Sequence, residues 1–401
     1  MSKSRKTVII AALIIVLFGG ATVLAVDYAR KESSSPPIVF SSNKMLYEMW
    51  NSYKQDYLEP GTFRTLDKQS QNITTSEGQS YTMLRSVWMD DRTTFDKSWQ
   101  WTKDNLQRED SLFSWKFGRI KDKDYGVLVN EGGNNTATDG DEDIALSLLM
   151  AYNRWNESKY LDAAKPIISS IWEKEVISIK GKPVLLANDI ERNSEQNVLV
   201  NPSYFAPYAY KTFALVDKKH DWKGLADNSY ELLTNISSNP LDTGKSNSMP
   251  PNWAIIDRTN GTIKPAQAPL TSHYSYDALR VPWRLALDYE WYEDERAKNV
   301  LSTYGFLDQF WNDTKVLNAE YAHDGSVVAD YEVPAMYGGS LGYFDVIKPE
   351  TADEIYTQKL EVLYDPNAQA SKEGLGYYDS NWVWFGMALH NHTLPNLTVE
   401  R

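Results

Sequence analysis

The 401-residue chain contains no cysteine, which excludes disulfides, thiolate metal sites and thiol nucleophiles together. Histidine is scarce too: there are five, His220, His273, His323, His390 and His392. The closest pair is two residues apart, a spacing that suits neither an i, i+4 ligand pair on a helix nor a zinc finger. No metal and no cofactor is therefore expected. Positive charge is in deficit, with 41 Lys and Arg against 54 Asp and Glu and a net charge of −13. That balance argues against nucleic acid and against anionic membrane surfaces as partners. There is no Gly-x-Ser-x-Gly elbow and no Ser/His/Asp set. Long apolar runs are confined to Val8–Val26, preceded by Lys3, Arg5 and Lys6. This is the pattern of an export signal, and it is also long enough to span a bilayer. Residues 1–30 are thus read as a signal peptide or N-terminal membrane anchor. Residues 31–38, with Ser33-Ser34-Ser35-Pro36-Pro37, are a short linker, and 39–401 form the functional domain outside the cell.

Aromatic residues are in excess, with 14 Trp and 25 Tyr. An exposed share of them suits a ligand with flat apolar faces, such as a sugar ring. Segments of helical period recur after the linker, among them 79–90, 96–106, 143–155, 158–174, 204–215, 222–234, 282–291, 295–311 and 381–390. Strand-like stretches are few: 124–130, 176–179 with 184–186, and 326–328. The pattern predicts one mainly helical domain without a regular repeat, and a monomer is expected.

Chemistry concentrates in acids at helix entrances. Thr138-Asp139-Gly140-Asp141-Glu142-Asp143 packs four carboxylates into five residues and runs straight into a helix. Thr138 or Asp139 would serve as N-cap, with the acids complementing the helix dipole, but a cap needs only one or two of them. The stretch is no calcium loop, because Ile144 and Met150 occupy the Gly and Glu positions. Thr243-Gly244-Lys245-Ser246 lacks the first Gly of a phosphate-binding loop. Glu77 lies in the first turn of a helix that Ser76 would cap, with Gln79 completing a capping box. Asp277 falls just before a helix whose first position suits Pro282. Two carboxyl groups flanking a glycosidic bond need neither metal nor histidine, provided one is held protonated.

Six ordered blocks carry a resemblance to glycoside hydrolase family 8. They are Ser76–Tyr81 followed by 91–96 and Trp101-Thr102, then Ala137–Ala145, Asn201–Pro207, Pro251–Trp253, Tyr276–Arg284 and Gly376–Ser380. The resemblance implies an all-α (α/α)6 barrel and an endoglucanase-like activity on a β-1,4-linked polysaccharide. Xylanase, exo-oligoxylanase, chitosanase or a non-catalytic polysaccharide-binding or assembly protein are the alternatives. It implies Glu77 as general acid, Asp277 as general base and Asp139 as the carboxylate beside them. Trp115, Tyr204, Tyr276, Arg280 and Tyr378 would bind substrate. Among the departures, Asn252 stands where Asp is common before Trp253.

Overall fold

The computed structural model describes residues 44–122 and 124–398. The signal or anchor segment (1–30) and the linker (31–38) lie outside the described residues. No described helix is long and apolar enough to cross a membrane.

Thirteen α-helices occur among the described residues, and they alternate between an outer and an inner layer. In chain order α1 (Lys44–Tyr57) is outer, α2 (Ser76–Trp88) inner, α3 (Arg92–Asn105) outer, α4 (Thr138–Trp155) inner and α5 (Ser158–Glu175) outer. Next come α6 (Pro207–Val216), inner, α7 (Trp222–Ser238), outer, and α8 (Arg280–Tyr292), inner. The outer pair α9 (Glu295–Ser302) and α10 (Phe306–Thr314), inner α11 (Pro334–Ile347), outer α12 (Pro349–Ile355) and inner α13 (Tyr377–His390) complete the chain.

Burial separates the layers. Outer helices such as α1 and α3 bury one stripe, as expected of an amphipathic surface helix. Inner helices are enclosed nearly all round: every residue of α2 except Glu77 is buried, as are the first fourteen of α4. Each inner helix packs on the next, from α2 through α4, α6, α8 and α11 to α13. The ring closes where α13 meets α2. Arg85 Nη1 donates to Asn381 Oδ1 (3.1 Å), and Tyr81 sets its edge or face against Trp382 and Phe385 at 5.8 and 5.3 Å. The fold is the (α/α)6 barrel, with short antiparallel strands in the connections at Thr74–Thr75, Lys116–Lys121, Asn197–Val200 and Ala254–Asp257.

Helix existence follows the periodicity, with three differences. The segment 295–311 divides into α9 and α10 at Thr303-Tyr304-Gly305. Helices α1 and α12 have no counterpart in the sequence reading. Nor does α11, because Gly338, Gly339 and Gly342 resemble helix breakers. Packing explains them. A Cβ at Gly338 would stand 2.1 Å from the Trp382 carbonyl oxygen, and one at Gly339 or Gly342 within 2.3 or 2.6 Å of the Leu279 or Pro282 oxygen. These glycines let α11 touch the backbones of α13 and α8.

Candidate active site

The N-terminal end of α2 presents Glu77. Thr75, rather than the expected Ser76, is the N-cap, its Oγ1 accepting the Gly78 N–H at 3.0 Å. Gln79 does not complete a capping box. Its Oε1 accepts the Thr65 N–H (2.7 Å) and its Nε2 donates to Thr102 Oγ1 (2.8 Å) and to Ser98 O (3.3 Å). A buried amide must find such partners, and these outweigh a reach back to the cap. Rotation of α2 is thereby fixed with Glu77 on its one open side, the carboxyl 23% exposed.

Helix α4 abuts α2 at Gly140, where a Cβ would stand 2.5 Å from Ser76 Oγ and 3.0 Å from the Glu77 nitrogen. This contact puts Asp139 beside Glu77. The cap expected at Thr138 or Asp139 is absent: Ala137 is the N-cap, without a side-chain bond. Thr138 Oγ1 instead donates to Leu186 O at 2.9 Å, and Asp139 Oδ1 accepts the Gly140 N–H at 2.9 Å. Asp141, Glu142 and Asp143 neither cap nor face solvent; all three are buried. Asp141 Oδ1 accepts the Phe113 N–H (2.9 Å), and Asp143 forms a two-point pair with Arg284 at 3.1 and 2.8 Å. Burial pushes the Glu142 carboxyl well above the usual range, and does the same to Asp141, where the neighbouring Glu175 adds to it.

The opposite wall comes from the loop before α8. That helix begins at Arg280, so Pro282 is its third residue rather than its first, and Asp277 precedes it by three. Arg280 is almost wholly buried, and its guanidinium joins the three acids. Nη1 donates to Glu77 Oε2 (2.9 Å) and Asp139 Oδ2 (2.7 Å), Nη2 to Asp277 Oδ1 (2.6 Å), and Nε to the Asp277 carbonyl (3.2 Å). Linked through the two nitrogens of one planar fork, the nearest Glu77 and Asp277 oxygens are at most about 8 Å apart.

One cation does not neutralise three carboxyls crowded around it. Burial pushes Glu77 up to about 8; Arg280 opposes the shift, while the Asp139 and Asp277 charges add to it. Burial also raises Asp277, against the opposing pull of Arg280 and of the nearby Asn201 amide. At neutral pH Glu77 therefore holds a proton.

Aromatic side chains surround the acids. Tyr204 lies under Arg280, its ring centre 5.2 Å from the guanidinium carbon, with Trp253 edge-on at 5.9 Å. Tyr276 is 43% exposed and packs on Tyr378 at 5.9 Å, while the Tyr378 hydroxyl donates to the Tyr276 carbonyl. The Trp115 carbonyl accepts the Ser76 N–H at 3.0 Å, which places this half-buried indole at the mouth of α2. Its Nε1 donates to Gly132 O (3.0 Å), and the Lys116 ammonium sits 5.4 Å from its ring centre. All eight site residues named from the sequence thus lie on the inner-helix entrances or the loops that border them. The structure adds Tyr81, whose hydroxyl accepts from Arg280 Nη1 at 3.3 Å, and Asn201 and Asn252 around Asp277. Tyr81 sits one helical turn after Glu77, on the same face, and that i, i+4 spacing was the available signal.

Two carboxyls held on one guanidinium, both pushed up by burial and with no thiol or histidine among their partners, have the make-up of a glycoside-cleaving site. The profile described as glycosyl hydrolases family 8 matches residues 26–377, and the chain belongs to that family. It is 31% identical over 234 residues to an endoglucanase of Cellulomonas uda, covering 58% of this chain and 61% of that one. Endoglucanase A of Acetivibrio thermocellus is 28% identical over 369 residues, covering 88% and 69%. Among solved structures, an endo-1,4-D-glucanase from Vibrio fischeri superposes with a TM-score of 0.70 at 25% identity, covering 84% of this chain and 93% of that one. A β-1,3-1,4-glucanase from Paenibacillus gives 0.71 at 25%, covering 87% and 91%.

Proposed function

We propose that this protein is an exported, inverting endo-β-1,4-glycanase that cleaves cellulose or a related β-glucan. The observation that carries the reading is the single buried guanidinium joining Glu77 and Asp277, in a setting whose burial pushes Glu77 up to about 8. In this mechanism the Glu77 proton passes to the glycosidic oxygen as its bond to C1 breaks. Asp277 takes a proton from a water that attacks C1 from the opposite face, so the sugar leaves with inverted configuration. Solvent exchange then returns a proton to Glu77 and removes one from Asp277.

Inverting enzymes keep their carboxyls about 6.5–9.5 Å apart to admit that water, and the limit set by the Arg280 fork is compatible with this window. Asp139 keeps the pKa of Glu77 high and offers an acceptor to a hydroxyl of the distorted sugar. Tyr276, Tyr378 and Trp115, the partly exposed aromatics beside the acids, supply stacking surface, while buried Tyr204 backs Arg280. The endoglucanase names of the relatives support the β-glucan assignment, and export rests on the Val8–Val26 run.

NMR of the first-formed anomer from a soluble β-1,4-glucan tests the stereochemistry. An α-anomer is expected, and a β-anomer would refute inversion. Asp277→Asn should lose at least about 100-fold in kcat, the scale of general base catalysis.

A further inference from the structure

The backbone around Asp277 is held by one side chain from a distant segment. Three N–H groups, from Ser275, Asp277 and Ala278, converge on Asn252 Oδ1 at 3.2, 3.2 and 3.0 Å. Asn252 Nδ2 donates to Ser275 Oγ at 2.7 Å, and the Asn252 backbone N–H is itself anchored to the His273 carbonyl at 2.7 Å. The residue is 6% exposed. Asp277, in contrast, keeps 28% of its side chain open and forms its one charge pair with Arg280. The Asp277 carboxylate is held by Arg280 and the nearby Asn201 amide, and the loop backbone that delivers it there donates three of its N–H groups to Asn252.

Three convergent N–H groups form a nest that favours negative charge. A carboxylate would accept those bonds at least as well as the carboxamide, and Ser275 could turn its hydroxyl to donate. Geometry alone does not distinguish Asn from Asp here, and the difference the amide makes is one of charge. The groups facing Asp277 are Arg280 on α8, Asp139 on α4, Glu77 on α2, Tyr204 and Asn201 before α6, and Tyr378 on α13. One cation already serves three carboxyls there, and a fourth carboxylate beneath the base would hold the Asp277 proton more firmly.

We propose that Asn252 is a positioning residue for Asp277, fixing the loop that carries the base while withholding a negative charge from it. The pH at which the enzyme gains activity is then set in part by the neutrality of residue 252. The inference rests on Asp277 being the base.

The test compares Asn252→Asp, Asn252→Ala and Asp277→Asn in the purified chain by the pH profile of kcat/KM on a soluble β-glucan. A base must be ionised, so activity rises with pH through its pKa. Asn252→Asp keeps the clamp and adds a charge, and its acidic limb should move up by about one pH unit. Asn252→Ala loses the clamp without adding charge. It should lose about tenfold or more in kcat, with KM changed by less than about threefold and the limb in place. An Asn252→Asp limb within about 0.3 unit of the parent, or an Asn252→Ala kcat equal to it, overturns the proposal. If Asn252→Ala does not fold, the Asn252→Asp limb alone decides. An active Asp277→Asn removes the base assignment instead, whereas an inactive one beside an unmoved Asn252→Asp profile removes only the role of Asn252.

Discussion

Replacing Glu77 by Gln separates what this residue does for catalysis from what it costs the fold. In the unfolded chain a Glu ionises near its ordinary value, whereas burial pushes folded Glu77 up to about 8. At pH 7 the folded protein must hold a proton that the unfolded chain releases. The penalty is absent below about pH 4, grows as pH rises, and is complete only above the folded pKa. At about 1.4 kcal/mol per pKa unit, and discounted for a carboxyl that is 23% exposed, it amounts to roughly 3 kcal/mol at pH 7. Gln has nearly the same shape and can still accept from Arg280, but it carries no proton to lose. Glu77→Gln should therefore be about 3 kcal/mol more stable than the parent at pH 7 and equal to it at pH 4, measured by urea unfolding at both. The same variant should lose at least about 100-fold in kcat on an unactivated glucan. Equal stability at pH 7, or a gap that persists unchanged at pH 4, would refute the reasoning.

Asp139→Asn removes a charge that helps hold the Glu77 pKa up. The alkaline limb of the kcat/KM profile should then move down by about one pH unit, and an unmoved limb would show that Asp139 does not act on the acid. Gly338→Ala drives a methyl to within 2.1 Å of the Trp382 carbonyl oxygen and should destabilise the barrel by about 3 kcal/mol or more in chemical denaturation. Trp115→Ala should raise KM for a long glucan about tenfold while changing kcat less, as expected for a stacking surface remote from the bond that breaks. A fall confined to kcat would move Trp115 out of that role.

Helix existence was legible in both layers, because five of the six inner helices and most of the outer ones carry apolar residues at helical spacing. The inner layer hid its glycines: Gly338 and Gly342 look like breakers until the backbones they touch are known. Caps were misread for a related reason. Ser76 and Gln79 form a local pattern that favours a capping box by a small margin, and Gln79 leaves it for Thr65, Ser98 and Thr102, distant residues that a local pattern cannot weigh. The three acids stood out at helix entrances, but their separate roles came from the block resemblance, since Glu77 and Asp277 each also suit an ordinary helix entrance. What no stretch could show is the meeting of Glu77, Asp139 and Asp277 on one guanidinium. Nor could it show that Asp141, Glu142 and Asp143, next to Asp139 in sequence, all turn inward.

The closure of the inner ring by α2 and α13 has a kinetic consequence. The Arg85–Asn381 bond joins residues 296 apart in sequence, and Tyr378 reaches its place beside Tyr276 only when α13, the last helix, has docked. Contacts so distant in sequence form late, because the intervening chain must be ordered first. Hydrolytic activity during refolding should accordingly lag behind the recovery of helical circular dichroism. A chain stalled with five inner helices in place would be compact, largely helical and silent.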